Sequence, residues 1–267
     1  MQEIINFPKI MGILNVTPDS FSDGGEYLNQ DNALAKALEM ISDGADIIDI
    51  GGESTRPGSD PVDAEEEIKR IVPIVEAIRK AEPNIKISVD TCKSKVALAA
   101  IKAGADMIND ISGLTRDSKL AEVVAKFDKE LVIMHIKGTP KNMQKNPTYD
   151  DVVEDVYEFL SQQIEYAKSC GVTKIFADVG IGFGKNLEHN LDLLRGHGSF
   201  KQLGVPMLLG ISRKSFIGEL CDIENPKDRD VETALLHSLM LGKNVEIIRV
   251  HNVKLHATLR DLYYELN

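Results

Sequence analysis

The stretch Val245-Glu246-Ile247-Ile248-Arg249-Val250-His251-Asn252 predicts a buried β-strand that ends in two nitrogen-bearing side chains. Alternate strand residues point to the same face, so Arg249 and His251 should face the same space at the strand tip. A guanidinium beside an imidazole is a common way to hold phosphate. For this strand taken alone, an exposed Arg followed by a helix-capping turn explains the pattern equally well.

Seven further apolar runs of strand length precede this one, and segments with helical periodicity separate them. The eight predicted strands are Ile10–Val16, Ile47–Gly51, Ile85–Asp90, Met107–Ile111, Leu131–Ile136, Ile175–Val179, Pro206–Ile211 and Val245–Val250. The predicted helices are Ala33–Ser42, Ala64–Lys80, Ser94–Ala103, Lys119–Phe127, Asp151–Ser169, Leu187–Leu194, Arg229–Leu241 and Leu255–Leu266. Eight strand–helix units with strands buried on both faces predict an α/β fold, a (β/α)8 TIM barrel formed as a single domain by residues 1–267. A doubly wound open sheet is the alternative.

The composition is consistent with this fold and narrows the partners. The chain has 267 residues, close to the roughly 250 typical of such barrels. A formal net charge of −11 argues against a nucleic-acid partner, so an anionic ligand would need locally placed Arg and Lys. Neither a leader segment nor a run of 18 apolar residues is present, so we expect no membrane partner and a cytoplasmic location. Cys92, Cys170 and Cys221 form neither a disulfide framework nor a zinc motif.

A polar or charged side chain lies at or just after the end of every predicted strand. Catalytic residues of (β/α)8 barrels lie at these positions. In order these side chains are Asn15, Glu53 to Arg56, Asp90, Asn109 with Asp110, His135, Asp178, Ser212 to Lys214, and Arg249 with His251. Helix N-caps would explain Asp110, Ser94 and Asn252 without any chemistry. Asp90 and Asp178, in contrast, still belong to their strands, so their carboxylates should be semi-buried. A heterocycle with ring N–H donors would satisfy them.

Three loops at the same end of the predicted barrel are rich in Gly and Pro. The stretch from Asp178 to Lys185 is neither GxGxxG nor GxxxxGK[ST], so its glycines favour a sharp turn beside a flat ligand, with Phe183 lining the pocket. Residues 17–25 and 54–59 are either mobile lids or ordinary surface loops, two readings of equal weight for each loop alone.

Two long segments carry a resemblance to a known family. Residues 12–25 (GILNVTPDSFSDGG) and 44–58 (GADIIDIGGESTRPG) resemble the two signature segments of dihydropteroate synthases. The resemblance continues in order through residues 88–91, 108–110, 134–140, 178–185, 212–215 and 249–251. Val179 stands where the family usually has Pro, and Asn252 where it usually has Asp. No fused kinase or aldolase domain accompanies the resemblance, so we expect the single-domain form.

The resemblance implies a transferase of folate biosynthesis. Such an enzyme condenses 6-hydroxymethyl-7,8-dihydropterin pyrophosphate with p-aminobenzoate and releases 7,8-dihydropteroate and pyrophosphate. The C–O bond is thought to break before the amine attacks, which leaves a pterin cation. Mg2+ is the implied cofactor, since it prefers oxygen ligands shared with phosphate. Sulfonamides, which resemble p-aminobenzoate, are implied inhibitors.

The same resemblance assigns roles to individual residues. The implied pterin ligands are Asp90, Asn109, Asp178, Phe183, Lys214 and Arg249. The implied p-aminobenzoate ligands are Phe21, Thr55, Arg56, Pro57, Phe183 and Ser215. Pyrophosphate would meet Asn15, Arg249 and His251, and Asn15 would also coordinate Mg2+. The implied catalytic set is Asn15, Asp23, Arg56, Lys214, Arg249 and His251, in which Asp23 helps to hold the closed loop and the cation.

Three other functions remain open. A methyltetrahydrofolate methyltransferase would share the pterin residues but lack the Ser212-Arg213-Lys214-Ser215 segment and the two long loops. A non-catalytic pterin-binding paralogue would not retain Asn15, Arg56 and Arg249, and a structural or adaptor protein would not need polar groups at every strand end. The resemblance also implies a homodimer formed near the C-terminus. There Leu255, Leu259, Leu262 and Tyr263 form an apolar stripe, a pattern that more often belongs to the core.

Overall fold

The structure, a computed structural model, describes residues 6–17, 26–55 and 58–267 and confirms the predicted (β/α)8 barrel. Eight parallel strands follow one another around the barrel in chain order, and the last pairs with the first. The strands are β1 (Lys9–Asn15), β2 (Ile47–Gly51), β3 (Lys86–Asp90), β4 (Met107–Asp110), β5 (Glu130–Met134), β6 (Lys174–Asp178), β7 (Met207–Leu209) and β8 (Val245–Val250). Each lies within a few residues of its predicted position.

Nine α-helices surround the barrel in the described ranges, one more than predicted. They are α1 (Glu26–Ser42), α2 (Ala64–Ala81), α3 (Ser94–Ala103), α4 (Lys119–Lys126), α5 (Val152–Ser169), α6 (Leu187–Arg195), α7 (Ser215–Cys221), α8 (Asp230–Leu239) and α9 (Val253–Leu266). The additional helix, α7, has only 7 residues, too few to show a helical period. Helix α1 starts seven residues earlier than predicted, because the polar run 29–32 hides its first turns. Among these residues no helix is long and apolar enough to cross a membrane.

The three predicted helix caps have different outcomes. Asn252 caps α9 as predicted, accepting a hydrogen bond from the Leu255 backbone N–H at 3.1 Å. The prediction for Ser94 was wrong, because Ser94 is the first residue of α3 and its own N–H is bound by Asp117. Asp110 was also assigned wrongly: its carboxylate closes a non-helical turn after β4, where it accepts from the backbone of Ser112 and Leu114.

Apolar side chains fill the lower part of the barrel interior. A cluster of fully buried residues, one from each of six strands, forms this layer: Met11, Ile47, Met107, Val132, Leu208 and Ile247. Below it, at the N-terminal opening, Lys86 pairs with Glu130 at 2.6 Å. Because strand side chains alternate, the residues two positions further along each strand are the next to face inward. This upper layer can therefore carry the polar side chains of a site at the C-terminal mouth of the barrel.

The repeated Gly-Ala-Asp turns stabilise the opposite, N-terminal face of the barrel. Gly44 and Gly104 follow helices with positive φ angles of 102° and 120°, a conformation that favours glycine. The carboxylate of Asp46 accepts from the Ile10 N–H at 2.8 Å, and that of Asp106 accepts from the Ile87 N–H at 3.1 Å. Each turn therefore fixes a helix end to the neighbouring strand, far from the polar layer.

One cap gives a direct test of local stability. Asp151 accepts hydrogen bonds from the Val153 and Glu154 N–H groups at the start of α5, at 2.9 and 3.1 Å. Asp151→Ala should lower the free energy of unfolding by about 1 kcal/mol, the usual cost of losing an N-cap. Urea unfolding followed by circular dichroism measures the change. The adjacent exposed residue provides the control, since Asp150→Ala should change stability by less than about 0.5 kcal/mol.

Candidate active site

A row of polar residues crosses the C-terminal end of the first four strands. Asn15 is the register partner of Gly51, Gly51 of Asp90, and Asp90 of Asn109. Asp90 and Asn109 are buried, while Asn15 is half-buried at the end of β1. Gly51 leaves space within the row, since a β-carbon there would lie 3.5 Å from the Asn15 amide oxygen. The barrel therefore brings together three predicted ligand residues from separate strands.

Arg249 joins this row to the centre of the barrel through two ion pairs. Its Nε donates to Asp49 at 2.7 Å, and its Nη2 donates to Asp90 at 3.0 Å. Asn109 donates to the same Asp49 oxygen at 3.3 Å. Although burial disfavours a charged guanidinium, the two carboxylates more than offset this and raise the pKa of Arg249. The arginine is therefore a fixed positive charge at the barrel mouth.

Asp49 is a site residue that the sequence reasoning missed. It lies in the middle of β2 between Ile48 and Ile50, is fully buried, and contacts both Arg249 and Asn109. Its position in the middle of a strand, rather than at a strand end, separates it from the residues predicted for the site. The detectable signal was a carboxylate in an otherwise apolar buried strand, since buried charges are rare unless they are paired.

Asp90 and Asp178 are buried carboxylates, more fully enclosed than the semi-buried positions predicted. Their exposed fractions are 8% and 5%. Burial raises the pKa of Asp90 to about 7 despite the attraction of Arg249. Burial also raises the pKa of Asp178, against a hydrogen bond at 2.8 Å from the Gly180 N–H. Both carboxylates can therefore accept further N–H donors from a ligand.

Lys214 and Phe183 form a wall beside Asp178. The Lys214 ammonium donates to the Ile181 carbonyl at 2.8 Å and lies 3.9 Å from the centroid of the Phe183 ring. Burial lowers the pKa of Lys214 to about 7, although the Asp178 carboxylate opposes this shift. Phe183 also packs against a small apolar cluster of Cys92, Ile111 and Met134. Polar edges and apolar faces at one place suit a flat heterocycle.

The glycine-rich loop after β6 is held in place by a buried lysine. Lys185, only 3% exposed, donates to the carbonyl groups of Gly180 and Phe183 and contacts the His135 Nδ1 at 2.9 Å. Gly180 has a φ of 68°, and a β-carbon there would lie 1.8 Å from the His135 carbonyl oxygen. His135, one of the predicted strand-end residues, therefore supports the loop that carries Phe183. Lys185 was not assigned from the sequence.

His251 is oriented by Ser212. The Ser212 hydroxyl accepts the His251 backbone N–H at 3.1 Å and lies 3.0 Å from the imidazole Nδ1. Since the hydroxyl already accepts the backbone N–H, we assign its own proton to Nδ1, which places the ring proton on Nε2. Burial, reinforced by Arg213 and Arg249, lowers the pKa of His251 to about 3. The side chain is therefore a neutral N–H donor, suited to an anionic oxygen.

The remaining predicted residues lie on the loops around the mouth. Thr55 is half-buried after β2, and Ser215 is exposed as the first residue of α7. Phe21, Asp23, Arg56 and Pro57 lie outside the described residues. The base of the β2–α2 loop is well anchored: the Lys93 ammonium pairs with both Glu53 and the buried Glu67. The loop carrying Thr55 thus starts from a rigid point.

The loop after β7 is anchored equally firmly. Arg213 forms two hydrogen bonds with the Asp230 carboxylate, at 2.6 and 2.8 Å. The buried Arg229 donates to the carbonyl groups of Arg213 and Lys214 at 3.1 and 3.3 Å. These contacts hold Ser212 and Lys214 on either side of a residue with a positive φ of 60°. The two side chains can therefore serve different parts of one ligand.

Comparisons with known proteins agree on the family. The model of the family described as pterin binding enzyme matches residues 11–251. A dihydropteroate synthase of Synechocystis sp. is 45% identical over 250 residues, which cover 93% of this chain and 86% of the relative. The structure of Xanthomonas albilineans dihydropteroate synthase with 4-aminobenzoic acid has a TM-score of 0.90 at 40% identity, covering 97% of this chain and 93% of that one. The Yersinia pestis dihydropteroate synthase with a sulfonamide drug has a TM-score of 0.89 at 42% identity, covering 97% and 94%.

The neutral state of His251 predicts an acid-dependent loss of stability. Its pKa is about 3 in the folded protein against an ordinary value of 6.5, so unfolding takes up a proton at any pH between these values. The stability that His251 contributes is complete above pH 6.5 and is lost progressively as the pH falls towards 3. His251→Gln should therefore lose less stability than the wild type between pH 7.5 and pH 5, two values on either side of the ordinary pKa of 6.5. Urea unfolding at both pH values measures this, and equal losses in the two proteins would show that His251 is already protonated when folded.

Proposed function

This chain belongs to the dihydropteroate synthase family of pterin-binding enzymes, and we propose that the mouth of its barrel condenses 6-hydroxymethyl-7,8-dihydropterin pyrophosphate with p-aminobenzoate. The enzyme is a transferase, and its products are 7,8-dihydropteroate and pyrophosphate. One observation carries the assignment of the site. The buried carboxylates of Asp90 and Asp178 lie near the fixed charge of Arg249 at the C-terminal ends of the strands.

The pterin ring fits the polar edge of this mouth. Asp178 and Asp90 accept the ring and amino N–H donors, and Asn109 supplies both a donor and an acceptor. Lys214 donates to a ring carbonyl or nitrogen from its position over Phe183. Each of these groups is held by the barrel before the ligand arrives, so little conformational entropy is lost on binding.

The faces of the ring would lie between apolar and cationic surfaces. Phe183, Met134 and Ile111 form one surface, and the planar guanidinium of Arg249 forms the other. Arginine stacks well on flat conjugated rings because its own group is planar and weakly hydrated. A guanidinium that stacks over the ring still has N–H donors along its own edge, and these can bind the diphosphate.

The diphosphate would meet Arg249, the neutral N–H of His251 and the amide of Asn15. The bond between the pterin methylene carbon and the diphosphate oxygen breaks, and its electron pair leaves with the diphosphate. Hydrogen bonds to that oxygen become stronger as negative charge builds on it, so they lower the barrier to bond cleavage. The amine lone pair of p-aminobenzoate then forms a bond to the methylene carbon, and the nitrogen loses a proton to water. No strong general base is required, because the amine attacks a carbon that has already lost the diphosphate.

The residues around Asn15 fit a Mg2+ ion that arrives with the diphosphate. Within the described part of the chain no group of three His, Cys, Asp or Glu residues could hold a metal alone. The Asn15 amide oxygen is a single hard ligand, half-buried beside the proposed diphosphate position. Mg2+ typically combines one or two protein ligands with substrate phosphates and water. When bound, it would neutralise charge on the leaving diphosphate.

The p-aminobenzoate pocket would be completed by the loops. Thr55, Phe183 and Ser215 come from three different strand–helix loops around the mouth. The family resemblance adds Phe21, Arg56 and Pro57 to the pocket and Asp23 to the closed loop. The Xanthomonas relative holds 4-aminobenzoic acid and the Yersinia relative holds a sulfonamide. We propose that both compounds compete for this pocket here.

A homodimer is supported by an exposed apolar face. Val231, Leu235 and Leu239 on α8 are 56%, 60% and 70% exposed, at the i, i+4, i+8 spacing of one helix face. Leu262 and Leu266 on α9 are also exposed. Of the stripe predicted from the sequence, Leu259 and Tyr263 pack against the core and Leu255 is half-buried, so Leu262 alone is available. We propose that α8 contributes most of the dimer contact, and that the enzyme, whose three cysteines are free thiols, acts in the cytoplasm.

Turnover and its metal dependence test the proposed reaction. The purified protein, incubated with the pterin pyrophosphate, p-aminobenzoate and Mg2+, should release pyrophosphate and dihydropteroate in equal amounts. Chelation with EDTA should abolish turnover, and added Mg2+ should restore it, because the diphosphate would otherwise leave with its charge uncompensated. Coupled pyrophosphate detection and chromatography measure the two products. Full turnover in EDTA would contradict the proposed role of Mg2+.

The pterin anchor can be tested separately. Asp178→Asn keeps the size of the side chain but replaces an acceptor with a donor, so pterin affinity should fall by about 1 to 3 kcal/mol. The melting temperature should change little, because the amide oxygen of Asn can still accept the Gly180 N–H. Calorimetric titration with 6-hydroxymethylpterin measures the affinity, with the exposed-surface variant Asp192→Asn as control. Unchanged affinity in Asp178→Asn would remove Asp178 from the pterin site.

A further inference from the structure

We propose that Asp49 is a positioning residue that holds Arg249 by one edge, so that the other edge can pass from Asp90 to the diphosphate when the pterin enters. This inference rests on the proposed role of Arg249 in binding the diphosphate. Asp49 contacts no ligand in this scheme. It acts through the guanidinium, and it was not among the residues assigned from the family resemblance.

The two carboxylates hold different parts of the guanidinium. Asp49 accepts from Nε at 2.7 Å, next to the last methylene carbon of the side chain, while Asp90 accepts from the terminal Nη2 at 3.0 Å. A guanidinium is planar and has five N–H donors, so a bond at Nε fixes the plane and leaves the terminal donors available. Loss of the Asp90 bond therefore need not release the arginine from its position.

Only one of the two carboxylates can be reached by a ligand. Asp90 lies in the row at the barrel mouth and is 8% exposed, whereas Asp49 is fully buried. The register partner of Asp49 is Ser88, two residues deeper in β3 than Asp90. Asp90 is also a proposed pterin acceptor, so an incoming ring N–H competes with Arg249 for it. The bond to Asp90 is thus exchangeable, while ligands cannot displace the bond to Asp49.

The local energetics argue against a purely structural role for Asp49. Its Oδ1 atom is buried and has no hydrogen-bond partner, and neither has the hydroxyl oxygen of neighbouring Ser88. A partly satisfied carboxylate in a barrel interior costs stability, and an apolar side chain of similar volume would fill the space without that cost. Asp49 accepts from Asn109 at 3.3 Å and from Arg249 at 2.7 Å, and the shorter, charged contact to Arg249 offsets most of this cost. This points to a role in placing the guanidinium.

A double-mutant cycle tests the inference. The variants are Asp49→Leu, Arg249→Met and the combination of both. The quantity measured is the ratio of dissociation constants for 6-hydroxymethylpterin and its pyrophosphate, obtained by calorimetry. This ratio isolates the contribution of the diphosphate. Asp49→Leu should lower the diphosphate contribution by about tenfold or more, within the range for residues coupled in one network. In the Arg249→Met background the same substitution should have no further effect on the ratio.

Two further variants make the cycle specific. Ser88→Ala removes a buried polar group at the same register level that does not contact Arg249, so it should leave the ratio unchanged. Asp49→Asn keeps the volume and an acceptor oxygen but removes the charge, and it should lie between the wild type and Asp49→Leu, with a loss of about threefold. Asp49→Asn also carries the test alone if Asp49→Leu does not fold, in which case a ratio equal to that of the wild type overturns the inference.

The failures of the two proposals can be told apart. If Arg249→Met leaves the ratio unchanged, Arg249 does not bind the diphosphate, and the proposed function of the arginine fails together with the inference. If Arg249→Met lowers the ratio but Asp49→Leu does not, Arg249 keeps its role and needs no positioning by Asp49. An equal effect of Asp49→Leu with and without Arg249 would mean that Asp49 acts by another route. Each of the last two results overturns the inference about Asp49 and leaves the proposed function of Arg249 in place.

Discussion

The ion pairs between Arg249 and the carboxylates of Asp49 and Asp90 are the interaction on which the rest of the site depends. Three charges share a low-dielectric space that the apolar layer below closes from the opposite opening. The two carboxylates repel one another, and the guanidinium that pairs with both offsets this repulsion. The guanidinium permits both to remain near the ligand space, and the barrel supplies the rigid strands that keep the three groups in register.

Much of this arrangement could be predicted because it follows from local sequence patterns. Eight apolar runs separated by helical periods specify the barrel, and the position of Asp90 or Asp178 at the end of a run places it at the mouth. The roles of Asp49, Lys185 and Ser212 could not be predicted in this way. Their importance comes from contacts with residues 200, 50 and 39 positions away, which only the closed barrel creates.

The errors have the same origin at a smaller scale. Helix α7 is too short for its period to be visible, and Asp110 was read as a helix cap although its acceptors serve a tight turn. Cap residues favour turns and helices for the same reason, so the residue type alone does not distinguish them. The assignments of Phe21, Asp23, Arg56 and Pro57 rest on the family resemblance, and they remain predictions.

The neutral imidazole of His251 has a consequence for the end of the catalytic cycle. A positively charged imidazolium would attract a diphosphate over a long range and would slow its departure after the reaction. An uncharged N–H contributes mainly through a short, directional hydrogen bond, and that contribution disappears once the diphosphate moves away by a small distance. If His251 binds the diphosphate as proposed, burial beside Arg213 and Arg249 keeps its ring uncharged and would spare the enzyme one source of product inhibition.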